Sequence, residues 1–156
     1  MHTPYSLMHI VAALVALPAG ALVIYAPKGR AAHRLLGIVY VFAMLIANMA
    51  ALLMYSLTGH FNLFHGFALL SLACTLTGLV MPLAKPRDWI TRHAFWMSWS
   101  YLGLLAATTN EIMIHLPLHL DSRPRIIGTG VAVALVTALA GRLLRPRLMR
   151  AARNYV

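Results

Sequence analysis

The sequence predicts an all-α integral membrane protein: a helical bundle with a four-helix core of two hairpins plus a fifth transmembrane helix. Three observations point there. The 156 residues are 61% hydrophobic and 10% charged, with a mean hydropathy of +0.77, whereas a soluble domain is about a quarter charged. Apolar runs of roughly 20 residues, the length that crosses a bilayer, recur from end to end. The basic residues collect in alternate connections, as topology signals do.

The first span is read over residues 6–25. Its start, MHTPYSLMHIVAALVALPAG, is as apolar as a signal peptide but lacks a positive n-region, so it reads as a retained helix. Ala26-Pro27-Lys28-Gly29-Arg30 breaks it. The second span covers 35–57 and turns at Thr58-Gly59-His60-Phe61-Asn62. The third covers 63–84 and ends at Lys85-Pro86-Arg87-Asp88. The fourth covers 93–116 and closes at Pro117. Arg123-Pro124-Arg125 then opens the fifth, over 126–144. A basic tail, residues 145–156, follows and suits anionic headgroups. The whole chain reads as one transmembrane domain, residues 1–156.

Charge sets the expected orientation. Of 13 Lys and Arg, Lys28, Arg30, Arg34, Lys85, Arg87, Arg92, Arg142, Arg145, Arg147, Arg150 and Arg153 fall on one side if the spans alternate. Only Arg123 and Arg125 fall on the other. The positive-inside rule then places the N-terminus outside and the C-terminus in the cytoplasm, across a cell inner membrane. The formal charge of +10 is thus a topology signal and calls for no nucleic acid. Tyr5, Tyr55, Phe61 and Phe64 at the outer edge, with Tyr25 and Trp89 at the inner edge, fit interfacial rings. The single cysteine, Cys74, can form no intrachain disulfide, and no CxxCH is present for covalent haem.

The two hairpins repeat in layout. His9 opens helix one outside and His65 opens helix three; His33-Arg34 and Arg92-His93 open helices two and four inside. A parallel repeat about an axis along the membrane normal follows. In an up-down bundle, helices one and three are diagonal, as are two and four, which pairs His9 with His65 and His33 with His93. Helical spacing puts His9, Ala13, Ala16 and Gly20 in one stripe of helix one. His33, Gly37, Tyr40, Met44 and Ala51 share a face of helix two, with Asn48 at its edge. In the fourth helix His93, Met97, Ser100, Leu104, Thr108, Glu111 and His115 form one face. Gly130, Ala134, Thr137 and Gly141 give helix five a packing face for the bundle or for a homo-oligomer.

The motifs His9, Pro27-Lys28-Gly29 with His33-Arg34-Leu35-Leu36-Gly37, Gly59-His60-Phe61 with His65, and Arg92-His93 with Trp96-Met97 and Tyr101 resemble a known family. It comprises bacterial multi-span membrane proteins catalogued as domain of unknown function 2306. The resemblance covers roughly the first four helices; it implies a fold of membrane helices and no particular activity.

Two chemistries suit these residues. Paired imidazoles at His9/His65 and His33/His93 are the donors of bis-His haem b, with inner arginines for the propionates. Their placement on alternate helices is similar to the layout of two-haem membrane cytochromes of the b561 type. Such a protein exchanges electrons with a quinone or a respiratory complex. The alternative is a transition-metal ion (Zn, Cu or Fe) at an outer cluster of His9, His65, Glu111 and His115, for transport or delivery. Glu111 enters because an acid inside a span is a functional candidate. His60 and His119 read as loop residues. A cofactor-free scaffold or assembly factor is the third reading. No serine or cysteine has a recognisable nucleophile context, so hydrolysis has no support.

Overall fold

The computed structural model describes residues 4–54 and 63–115, together with 131, 133, 135, 138, 139 and 142. Four helices stand in order: α1 (Pro4–Tyr25), α2 (Ala31–Leu53), α3 (Leu63–Ala84) and α4 (Trp89–His115). No strand occurs among the described residues. Residues 55–62 and 116–125, most of the stretch 126–144 expected as a fifth span, and the basic tail 145–156 lie outside them.

Among the described residues, three helices are long and apolar enough to cross a membrane: Pro4–Tyr25, Ala31–Leu53 and, within α3, His65–Ala84. The fourth is the longest at 27 residues but less apolar, because Ser98, Ser100, Thr108, Thr109, Asn110 and Glu111 interrupt it. Several of these satisfy their hydroxyls locally. Ser98, Thr108 and Thr109 donate to the carbonyls of Ala94, Leu104 and Leu105 at 2.6, 2.8 and 2.8 Å, as hydroxyls on helices in a water-poor setting do.

The connections explain two shifts in helix start. α2 begins at Ala31, ahead of the expected Leu35, because Gly29 at φ 76° completes the turn and Ala31-Ala32 are strong helix formers. α4 begins at Trp89, ahead of His93, because Lys85 (φ 47°) and Asp88 (φ 59°) close the turn in the left-handed region. At the end of α1, Lys28 Nζ donates to the carbonyls of Val23 at 2.7 Å and Ile24 at 3.1 Å. A cation on those last carbonyls is the charge a helix C-terminus favours.

α1 packs along α2, α2 along α3 and α3 along α4, and α1 also meets α4. The core joins Ala16 and Ala19 of α1, Tyr40, Val41, Ala43 and Met44 of α2, and Leu104 of α4. Its alanines and glycines let backbones approach closely, which is how helices associate where lipid removes the hydrophobic drive. Gly20 is one such contact: a Cβ there would lie 2.5 Å from the Tyr101 ring and 3.0 Å from Tyr40. Outside is the reverse pattern. Leu14, Phe42, Leu70 and Leu83 are 61–74% exposed, an apolar shell that suits hydrocarbon and would aggregate in water.

Candidate functional site

Histidine orientation begins with the backbone. Pro82 lies inside α3 and has no N–H, so the carbonyl four residues earlier, that of Gly78, loses its helical donor. His93 Nδ1 of α4 lies 2.7 Å from that oxygen. The first hairpin places a similar bond at a helix end: Val23 lies in the last turn of α1, Pro27 beyond that end offers its carbonyl no N–H, and His33 Nδ1 lies 3.4 Å from it. That second bond is long and shares its acceptor with Lys28 Nζ.

At the other end of the α1–α2 hairpin, His9 Nδ1 lies 2.8 Å from the Ala47 carbonyl. Facing positions in an antiparallel pair have a constant sum of residue numbers. The pairs His9/Ala47 and Val23/His33 share one sum, so a single register makes both bonds.

A carbonyl only accepts, so each of these three imidazoles carries its proton on Nδ1. The lone pair is then on Nε2. This is the arrangement of a ligating histidine, whose other nitrogen donates to a carbonyl that orients the ring and raises its basicity.

His33, His93 and Lys28 lie within electrostatic range of one another. The structure thus gathers the inner histidines of α2 and α4 at one end of the bundle. Arg30, Arg34 and Arg92 stand exposed at the same end, with Arg34 Nη2 donating to the Gly29 carbonyl at 3.3 Å.

The outer residues are placed differently. His65 is buried at 5% exposure, and His9 is half-buried on α1. Glu111 is exposed. The register set by Thr75 and Ser100 puts it level with the first turn of α3. The His115 side chain lies outside the described residues. Among those described, no three His, Cys, Asp or Glu side chains gather in a group able to hold a metal ion.

The interior between the two ends is closed by packing and hydroxyls. Met97 sits against Gly78, where a Cβ would meet its Sδ at 2.5 Å. Tyr101 Oη donates to the Leu17 carbonyl at 3.2 Å, tying α4 to α1. Its ring meets Tyr40 edge-on, with centroids 6.2 Å apart. The face of α4 expected from helical spacing is inward from His93 through Met97, Ser100 and Leu104 to Thr108. The faces expected of α1 and α2 are likewise inward.

Pro82, Gly78 and Thr75 were not expected to matter. A proline inside a span, four residues after a glycine, was the readable signal for the first two. Nothing in sequence marks Thr75.

A family model described as "Predicted membrane protein (DUF2306)" matches residues 6–148. The match runs past the four helices that carried the resemblance and takes in the fifth span, 126–144. No curated protein and no solved structure matches the chain.

Proposed function

The chain belongs to the DUF2306 family of membrane proteins, and on that premise we propose that it is a haem b-binding electron-transfer protein of the membrane. His33 and His93 would hold the haem. The observation that carries this reading is the pair of Nδ1–H bonds to backbone carbonyls of the neighbouring helices, which leaves both Nε2 lone pairs available at one end of the bundle. Lys28, Arg30, Arg34 and Arg92 supply the positive charge that propionates require.

When bound, haem b supplies one-electron chemistry. The protein's own part is to hold two imidazoles in one tautomer and to enclose them in packed helices. A quinone or a respiratory complex is the electron partner this reading calls for. His9 and His65 form the second pair in the same scheme, one ring held by Ala47 and the other buried.

The visible spectrum of purified protein, before and after haemin addition, is the test. A Soret band is expected in wild type, smaller in His33→Ala, His93→Ala and His9→Ala, each of which removes one of two sites, and absent when His33→Ala and His9→Ala are combined. Absence of any Soret band from haemin-treated wild type rejects the proposal. Reporter fusions at the two ends check the accompanying orientation, N-terminus outside and C-terminus in the cytoplasm of the inner membrane.

The alternative is a Zn, Cu or Fe ion at His9, His65, Glu111 and His115. It draws support from the buried His65 but not from Glu111, which is exposed. Metal content that is equal in wild type, Glu111→Ala and His115→Ala eliminates it.

A further inference from the structure

The deepest polar groups of the bundle are three hydroxyls on three helices. Tyr40 of α2 is 2% exposed, and Thr75 of α3 and Ser100 of α4 are fully buried at 0%. Tyr40 Oη lies 2.8 Å from Ser100 Oγ, and Ser100 Oγ lies 2.7 Å from Thr75 Oγ1. Thr75 Oγ1 in turn donates to the Ser71 carbonyl at 2.9 Å.

The direction of this chain is determined by counting protons. Each hydroxyl owns one. The Ser71 carbonyl can only accept, so it takes the proton of Thr75. Thr75 must then accept from Ser100, and Ser100 from Tyr40. Every hydroxyl in the run donates once, Ser100 and Thr75 each also accept once, and polarisation along such a run strengthens each bond. Sliding any one helix orphans a buried hydroxyl, which has then given up hydration without a replacement partner.

The position of the chain relative to the histidines is the decisive point. Tyr40 follows His33 by seven residues on α2, and Ser100 follows His93 by seven on α4. Two turns, or about 10 Å, separate each histidine from the hydroxyl on its own helix, along nearly the same face. The Tyr40–Ser100 bond therefore holds α2 and α4 in the one register that brings His33 and His93 to the same level. Thr75 extends the constraint to α3, whose Gly78, one turn further on, holds the His93 ring.

We propose that Tyr40, Ser100 and Thr75 are positioning residues that lock α2, α3 and α4 in the register pairing His33 with His93. The purpose of the lock rests on the haem reading above; its existence does not.

Spin labels on α2 and α4 separate the two. In a Cys74→Ala background, cysteines at the lipid-facing positions Leu35 and Phe95 carry the labels, and pulsed dipolar spectroscopy on the full chain in nanodiscs reads their distance. A single narrow distance is expected for the unaltered lock and for Thr75→Ser, which keeps the hydroxyl. Tyr40→Phe and Ser100→Ala should broaden the distribution or move its mean by about 1–2 Å, the scale of helix shifts between packed states. Should either aggregate, the Tyr40→Phe/Ser100→Ala double variant leaves no orphaned donor and gives the same readout. Narrow, unmoved distances in these variants overturn the lock. Haemin titration of the same samples should show weaker binding wherever the distance broadens. Failure of wild type to bind haemin rejects the cofactor reading and leaves the distance result to decide the lock.

Discussion

Pro82 and His93 are complementary across the α3–α4 interface. The proline removes the donor that would have satisfied the Gly78 carbonyl, and the imidazole supplies one from the next helix at 2.7 Å. Pro27 and His33 repeat part of the relationship across α1 and α2, with the longer 3.4 Å bond. Only in the second hairpin is the freed carbonyl inside a helix; Val23 lies in the last turn of α1, where the helix end and Pro27 together leave its carbonyl to His33 and Lys28.

Pro82→Ala should uncouple the two. An N–H at position 82 competes for the Gly78 carbonyl, and an interior proline costs a helix about 3 kcal/mol relative to alanine. The variant is expected to melt at the same or a higher temperature in detergent while its haemin affinity falls by roughly 10–100-fold, the usual cost of losing a bond that orients a ligand. A thermal melt and a haemin titration on one preparation check both halves.

His93→Asn should divide orientation from ligation. Its amide nitrogen reaches about where Nδ1 lies and can still donate to Gly78, but no group takes the place of Nε2. Stability within about 0.5 kcal/mol of wild type is expected, together with loss of the Soret absorbance that belongs to the His33/His93 site. A melting temperature as low as that of His93→Ala would show that the amide does not restore the bond.

Gly78→Ala and Gly66→Ala should differ sharply. A Cβ at 78 meets Met97 Sδ at 2.5 Å and the Met97 backbone nitrogen at 3.3 Å, whereas nothing lies within 4 Å of one at 66. Overpacking of this kind typically costs about 1–3 kcal/mol. The first variant should lower the melting temperature, and the second should leave it unchanged or raise it, since alanine is the better helix former.

Gly20→Ala sets the same test at the α1–α4 contact, against the Tyr101 and Tyr40 rings. Rings cannot yield as a thioether does, so its destabilisation should equal or exceed that of Gly78→Ala. Gly37→Ala, with no atom within 4 Å, is its matched control. Urea or detergent unfolding of the four glycine variants ranks them.

Lys28→Ala should fray the end of α1. It removes two donors, to Val23 and Ile24, from carbonyls that Pro27 and the helix end leave without helical partners. A loss of about 1–2 kcal/mol is expected, with faster hydrogen exchange confined to the last turn of α1 and the start of α2.

What the sequence determined by itself is what composition and periodicity encode locally. Runs of about 20 apolar residues specify membrane helices whatever they pack against. Pro and Gly specify where those helices break, and spacing places Tyr40 and Met44, or Ser100 and Leu104, on one inward face. The histidines were legible as candidates because a polar ring on an apolar helix stands out.

Tertiary structure decided the rest, because hydrogen bonds between helices depend on a register that no single helix contains. Thr75 looks like any threonine in a span until Ser100 arrives beside it. Pro82 reads as a kink until the oxygen it frees meets His93. Glu111 reads as a buried acid until the end of the bundle leaves it exposed. The proton on each Nδ1, and hence the nitrogen left to act, is settled only by which carbonyl the neighbouring helix presents.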